Sequence, residues 1–142
     1  MTFLLNTQHA LRSRFDEFRL ALQRENRTAA EIALDDFEKT LRRWTEAEET
    51  ALMPALVRAE IPGRDVRREL RLEYVQIREL TRFVLQQIRE GIRTSELGGY
   101  IENLDRRLSA HEGEMQRLYY PAAERTLTAD EWKILEEARP PD

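Results

Sequence analysis

LGGYIENLDRRLSAHEGEMQRLYYPA, residues 97–122, sets Leu97, Ile101, Leu104, Leu108, His111, Met115, Leu118 and Ala122 at alternating steps of three and four. That spacing returns to one face of a helix and to no face of a strand. Gly98-Gly99 is expected to fray its start, because glycine costs about 1 kcal/mol in a helix interior. Three further stripes share the period. The first runs Leu4, Gln8, Leu11, Phe15, Phe18, Leu22; the second Leu34, Phe37, Leu41, Trp44, Glu48, Ala51; the third Val66, Leu70, Tyr74, Ile77, Thr81, Val84, Ile88. Their breaks fall at Glu25-Asn26-Arg27, Ile61-Pro62-Gly63 and Gly91. Thr28-Ala29-Ala30-Glu31 reads as a capping box opening the second helix, and Thr128-Ala129-Asp130-Glu131 as another opening a short terminal helix over about 129–138. Four long amphipathic helices with short connections predict a single-domain, all-α, antiparallel up-down four-helix bundle over residues 1–142, completed by that short helix.

Composition narrows what such a bundle can do. The 142 residues include no Cys, which removes disulfides, thiolate catalysis, Cys-ligated zinc and iron–sulfur clusters together. Apolar runs of only a few residues leave no membrane-spanning helix, and Met1-Thr2-Phe3-Leu4-Leu5 has no basic leader, so a cytoplasmic location is expected. The net charge of −4 argues against a nucleic-acid partner. The Arg-rich stretch from Arg64 to Arg93 is interleaved with Glu69, Glu73, Glu79 and Glu90 and reads as a solvated helix face. With two His and no nucleophile beside a base, catalysis has no visible machinery, and the protein is expected not to be an enzyme.

A repeat singles out the interior positions. Overlaying Pro54 on Pro121 aligns Leu34, Phe37, Leu41, Trp44, Glu48, Glu49 and Met53 with Ile101, Leu104, Leu108, His111, Met115, Gln116 and Tyr120. Residues four apart are neighbours on a helix, so Trp44/Glu48 and His111/Met115 point inward as pairs, and Tyr74 on the third helix can face them. A carboxylate, an imidazole and a phenol inside a bundle are costly unless paired.

Trp44-Thr-Glu-Ala-Glu48-Glu49-Thr-Ala-Leu52-Met53-Pro54, Glu73-Tyr74 and His111-Glu-Gly-Glu-Met115-Gln116-Arg-Leu118-Tyr119-Tyr120-Pro121 together resemble the hemerythrin-like, or HHE cation-binding, domains over roughly residues 4–125. In that family the helix-two and helix-four motifs are His-x3-Glu-Glu-x2-Leu-Phe-Pro and His-x3-Glu-Glu-x2-Leu-Tyr-Pro, and helix three carries Glu-His. The resemblance implies a four-helix bundle around a carboxylate-bridged di-iron centre that binds oxygen or senses or stores iron and oxidants. Its ligand positions are mostly substituted here. Trp44 and Tyr74 stand where the family has His, Arg78 where many members have another, and Met115 or Gln116 where it has a carboxylate. Glu48 and His111 are kept, and His9 matches the early His of helix one, although the apolar stripe there puts Gln8 on the inward line.

Four readings follow. In the first, Trp44 and Met115 fill the former site, the remaining polar groups close a network of Glu48 with Arg78, His111 or Tyr74, and no cofactor is bound. The role is then non-catalytic binding or regulation toward a protein or small-molecule partner. In the second, His9, Glu48 and His111 hold one iron or manganese ion in a sensing role. In the third, Trp44, Tyr74 and Met115 line a pocket for a small organic ligand, or for haem through His111. In the fourth, one bundle face makes a homodimer, two-fold dimers being the commonest oligomers.

Overall fold

The computed structural model describes residues 2–141, and these are helical apart from short turns, with no strand among them. We number five continuous helices: α1 (Thr2–Gln23), α2 (27–58), α3 (Val66–Arg89), α4 (94–126) and α5 (Ala129–Ala138). Among the described residues no helix is long and apolar enough to cross a membrane.

The turns explain where each helix starts. α1 ends in a paired C-terminal turn, Glu25 N–H donating to Leu22 O and Asn26 N–H to Ala21 O, with Glu25 at φ 55°. This places Asn26 outside the next helix, where its side chain accepts from Ala29 N–H at 3.0 Å. Asn26, not Thr28, therefore caps α2, and Thr28 is an exposed residue of its first turn. The same turn geometry closes α3, with Gly91 at φ 83° supplying the left-handed residue. Asp65 caps α3 through Arg68 N–H, and Thr128 and Glu131 form the expected reciprocal box at the start of α5. Gly98 and Gly99 do not delay α4, which is helical from Thr94 with Leu97 buried beneath them.

Neither Pro54 nor Pro121 ends its helix. Each follows a five-residue π-turn, Glu48–Leu52 in α2 and Met115–Tyr119 in α4, after which the α-helix resumes. A proline in mid-helix cannot donate to the carbonyl four residues back, and its ring crowds that carbonyl. The chain widens instead: Met53 N–H bonds to Glu48 O and Tyr120 N–H to Met115 O. The extra residue rotates everything beyond it. Leu118, expected to face inward, is only half-buried, while Tyr119 and Tyr120 enter the core.

Helices adjacent in the chain pack on one another, α1 on α2, α2 on α3 and α3 on α4, and α5 lies across α2. Phe15 meets Phe37 with ring centroids 5.5 Å apart, and Arg82 pairs with the buried Glu38 at 3.2 Å. α1 reaches α4 through Arg12, which bonds Asp105 and Ser109, and through Gln8, which accepts from Gln116. All four stripes supply one shared core, from Leu4 and Phe15 to Leu104 and Met115.

Candidate functional site

The interior polar groups gather around a cavity of about 40 Å³, lined by Gln8, Leu11 and Arg12 of α1, Phe37, Leu41, Trp44 and Glu48 of α2, and Leu108, His111, Glu112 and Tyr120 of α4. Helix periodicity places them there. Trp44/Glu48 and Leu108/His111 occupy successive turns of inward stripes, and the π-turns begin at Glu48 and at its repeat equivalent Met115. Such widened turns within α-helices frequently mark functional sites.

Glu48 is the most perturbed carboxylate. It is 3% exposed, and burial pushes its pKa from an ordinary 4.5 up to about 7, against the opposing pull of the His111 charge and of the Tyr74 hydroxyl. Tyr74 is near enough to act on Glu48, yet the pair falls short of hydrogen-bond geometry: Glu48 Oε2 and Tyr74 Oη are both buried with no partner. Burial and the neighbouring Glu48 raise the Tyr74 pKa well above 10, so the phenol keeps its proton.

His111 is held from the other side. Its Nδ1 lies 2.7 Å from Glu73 Oε1, and because a carboxylate only accepts, Nδ1 carries the proton. Burial works against the imidazolium, but the Glu73 hydrogen bond and the charges of Glu48, Glu73 and Glu112 outweigh it, and the pKa rises above 6.5. Tyr74 stands edge-on to the imidazole with centroids 5.6 Å apart. The result is a line of ionisable groups running from Glu73, with 29% of its side chain exposed, through His111 to the neighbourhood of Glu48.

The residues singled out in the sequence divide clearly. Trp44, Glu48, Tyr74, His111 and Met115 are brought together inside, with Met115 fully buried. Gln8 faces inward at 5% exposure, donating to Glu112 O, whereas His9 is exposed on the outer side of α1 beside Asn6, Ser13 and Arg139. Gln116 joins the site's edge through Gln8. Arg78 is half-buried one turn beyond Tyr74 and is not among the groups acting on Glu48, so the expected Glu48–Arg78 pair does not form. Glu73, Glu112, Arg12 and Tyr120 are members that the sequence reading missed. Glu73 had a signal, since it and Tyr74 straddle the inward line of α3, and the His that seeks a carboxylate lies on the next helix. Among the described residues no three His, Asp or Glu side chains converge to hold a metal ion.

No family model matches the chain, and neither a curated protein nor a solved structure matches it.

Proposed function

We propose that this chain is an antiparallel up-down four-helix bundle of the hemerythrin-like kind whose dinuclear site has closed by substitution, and that it serves in the cytoplasm as a non-catalytic binding or regulatory protein. The bundle arrangement is supported by residue pairs whose numbers run in opposite senses: Glu38 with Arg82 and Asp35 with Arg89, Gln76 with Arg107 and Phe83 with Tyr100, Gln8 with Gln116 and Arg12 with Asp105. The observation carrying the functional reading is that the large side chains Trp44 and Met115, 2% and 0% exposed, occupy the interior beside Glu48 and His111 while His9 faces solvent. A carboxylate-bridged pair of irons does not fit an interior in which, among the described residues, no three His, Asp or Glu side chains converge to hold even one metal ion. A cavity of about 40 Å³ has room for two or three water molecules. It is far below the roughly 300–1,000 Å³ of pockets that take drug-sized ligands, and so below what haem requires.

The second reading, a single iron or manganese ion with a sensing role, draws on one specific feature. Glu73 fixes the His111 tautomer with Nε2 left as the free nitrogen, the arrangement usual behind a metal-binding imidazole, and Glu48 Oε2 and Tyr74 Oη are unpartnered beside it. With Tyr74 in place of the expected His9, which faces solvent, those three side chains would hold the ion, which would supply a Lewis-acid or redox centre there. Melting curves in chelator and with ferrous or manganous ion added anaerobically separate the two readings. Unchanged melting with either ion supports the closed bundle. A midpoint that climbs with the logarithm of metal concentration, and ceases to climb in His111→Ala, supports the single-ion site.

A further inference from the structure

We propose that α5 is a strap: it detaches from the bundle as a unit while the other helices stay folded, and its detachment opens the aromatic wall of the interior cavity to solvent. This goes beyond the reading of the interior site and holds whether or not that site takes an ion. The wall is built in layers. Trp44 lines the cavity, and Phe3 of α1 backs it with ring centroids 6.3 Å apart. Trp132 of α5 stands edge-on to Phe3 at 5.9 Å, and the Arg139 guanidinium lies over the same ring. α5 itself crosses α2 at the π-turn that begins with Glu48. On this side Phe3 and α5 stand between Trp44 and solvent.

The strap is lightly fastened. Within α5 only Leu135 is fully buried, with Pro140 buried just beyond the helix and Trp132, Ile134 and Ala138 half-buried. The other ties are polar and come from arginines of the bundle: Arg58 forks the Glu131 carboxylate and donates to Thr126 O, Arg43 donates to Glu137 O and Arg14 to Pro141 O. Pairs exposed to solvent in this way contribute little each, because water replaces the partner as soon as it leaves. Glu131 also accepts from Thr128 N–H in the capping box, so one carboxylate serves both the folding of α5 and its docking. Leu127 and Thr128 are extended, which separates α5 mechanically from α4. A helix of ten residues is too short to persist alone, so a lifted α5 also unwinds. The repeat shows that the seat is particular to α2: Ala47 and Ala51 are buried there, whereas their equivalents on α4 are Glu114 and Leu118, both part-exposed, where no fifth helix lies.

Hydrogen exchange of the full chain, followed by NMR, tests this. The Trp44 indole N–H reports on the wall, and the slowest amides of α3 report on global unfolding. In the wild type the α5 amides and the Trp44 indole are expected to share one opening, about a hundredfold more populated than global unfolding and nearly indifferent to low urea because it exposes little surface. Leu135→Ala should speed both by about tenfold or more, and Arg58→Ala, which leaves the apolar seat intact, by about two- to fivefold. Val84→Ala supplies the opposite control. Val84 is fully buried beside Phe83, whose ring meets Tyr100 near the start of α4, at the end of the bundle away from α5. That substitution weakens the strapped and unstrapped forms alike relative to the unfolded chain. It should therefore speed the slowest α3 amides and leave α5 and the Trp44 indole at their wild-type rates. A Trp44 indole that exchanges only with the slowest amides, or that Val84→Ala accelerates as much as it accelerates them, overturns the proposal. So does an α5 that opens while the Trp44 indole stays protected.

Discussion

Replacing Glu48 by Gln should make the protein more stable at pH 8 while changing it little at pH 5. The carboxyl is 3% exposed and its pKa is raised by burial from 4.5 to about 7 in the folded state. An acid whose folded pKa lies above its unfolded value holds its proton more tightly when folded, so the stabilisation is fully present below about 4.5 and is lost as pH rises through about 7. A displacement of about 2.5 pH units corresponds to ~3 kcal/mol once both states are ionised. At pH 5 only a fraction of that has been lost. Gln keeps the shape and does not ionise, so the difference between variant and wild type should shift by roughly 2–3 kcal/mol in favour of the variant between pH 5 and pH 8. Any fixed cost of placing an amide beside Tyr74 and His111, about 1 kcal/mol, cancels in that comparison. For a chain of 142 residues the change equals roughly 7–10 °C in melting midpoint. Urea titrations of both proteins in chelator at pH 5, 6, 7 and 8 measure it. A difference that is flat with pH, or that moves the other way, would refute the claim that burial of Glu48 outweighs the pull of the His111 charge.

The remaining predictions follow from other contacts. Glu73→Gln removes the charged acceptor of His111 Nδ1, so the His111 pKa should fall; an NMR titration reads it directly, with the exposed His9 as internal comparison, and an unmoved value would break the pairing. The stability that His111 contributes is present below about pH 6.5 and fades as pH passes its raised folded value, so Glu73→Gln should cost most in mildly acidic buffer. Trp44→Ala should cost about 3–5 kcal/mol in denaturant unfolding, since the ring is 2% exposed and cannot be replaced by its neighbours; a loss under about 1 kcal/mol would mean that Trp44 does not fill the interior. Asn26→Ala should lose about 1 kcal/mol with its cap, whereas Thr28→Ala should stay within about 0.5 kcal/mol; the reverse order would move the start of α2 to Thr28.

The helical class and most core positions were legible in the amino-acid sequence because burial follows a 3.6-residue period wherever the backbone is a regular α-helix. Leu34 through Ala51 and Val66 through Ile88 are buried as the spacing predicts. The reading failed where the period changes. A π-turn inserts one residue that no hydrophobic pattern announces, and it exchanges Leu118 for Tyr119 and Tyr120. It failed at the start of α2 because two residues, Asn26 and Thr28, could both cap, and the left-handed turn at Glu25 decided between them. In the site, inward direction was readable for Trp44, Glu48, Tyr74, His111 and Met115, since each lies on a stripe. Partners were not, because a hydrogen bond between helices depends on their relative height. That height gives His111 to Glu73 and leaves Arg78 apart from Glu48.

The central claim of the proposed function is that the interior around Glu48 and His111 binds no metal. Elemental analysis by mass spectrometry tests this most directly, on protein purified without chelator or affinity metal and again after anaerobic ferrous and manganous loading. The account predicts metal at background in both preparations, unchanged by His111→Ala. Near-stoichiometric iron or manganese that disappears with His111→Ala would contradict it.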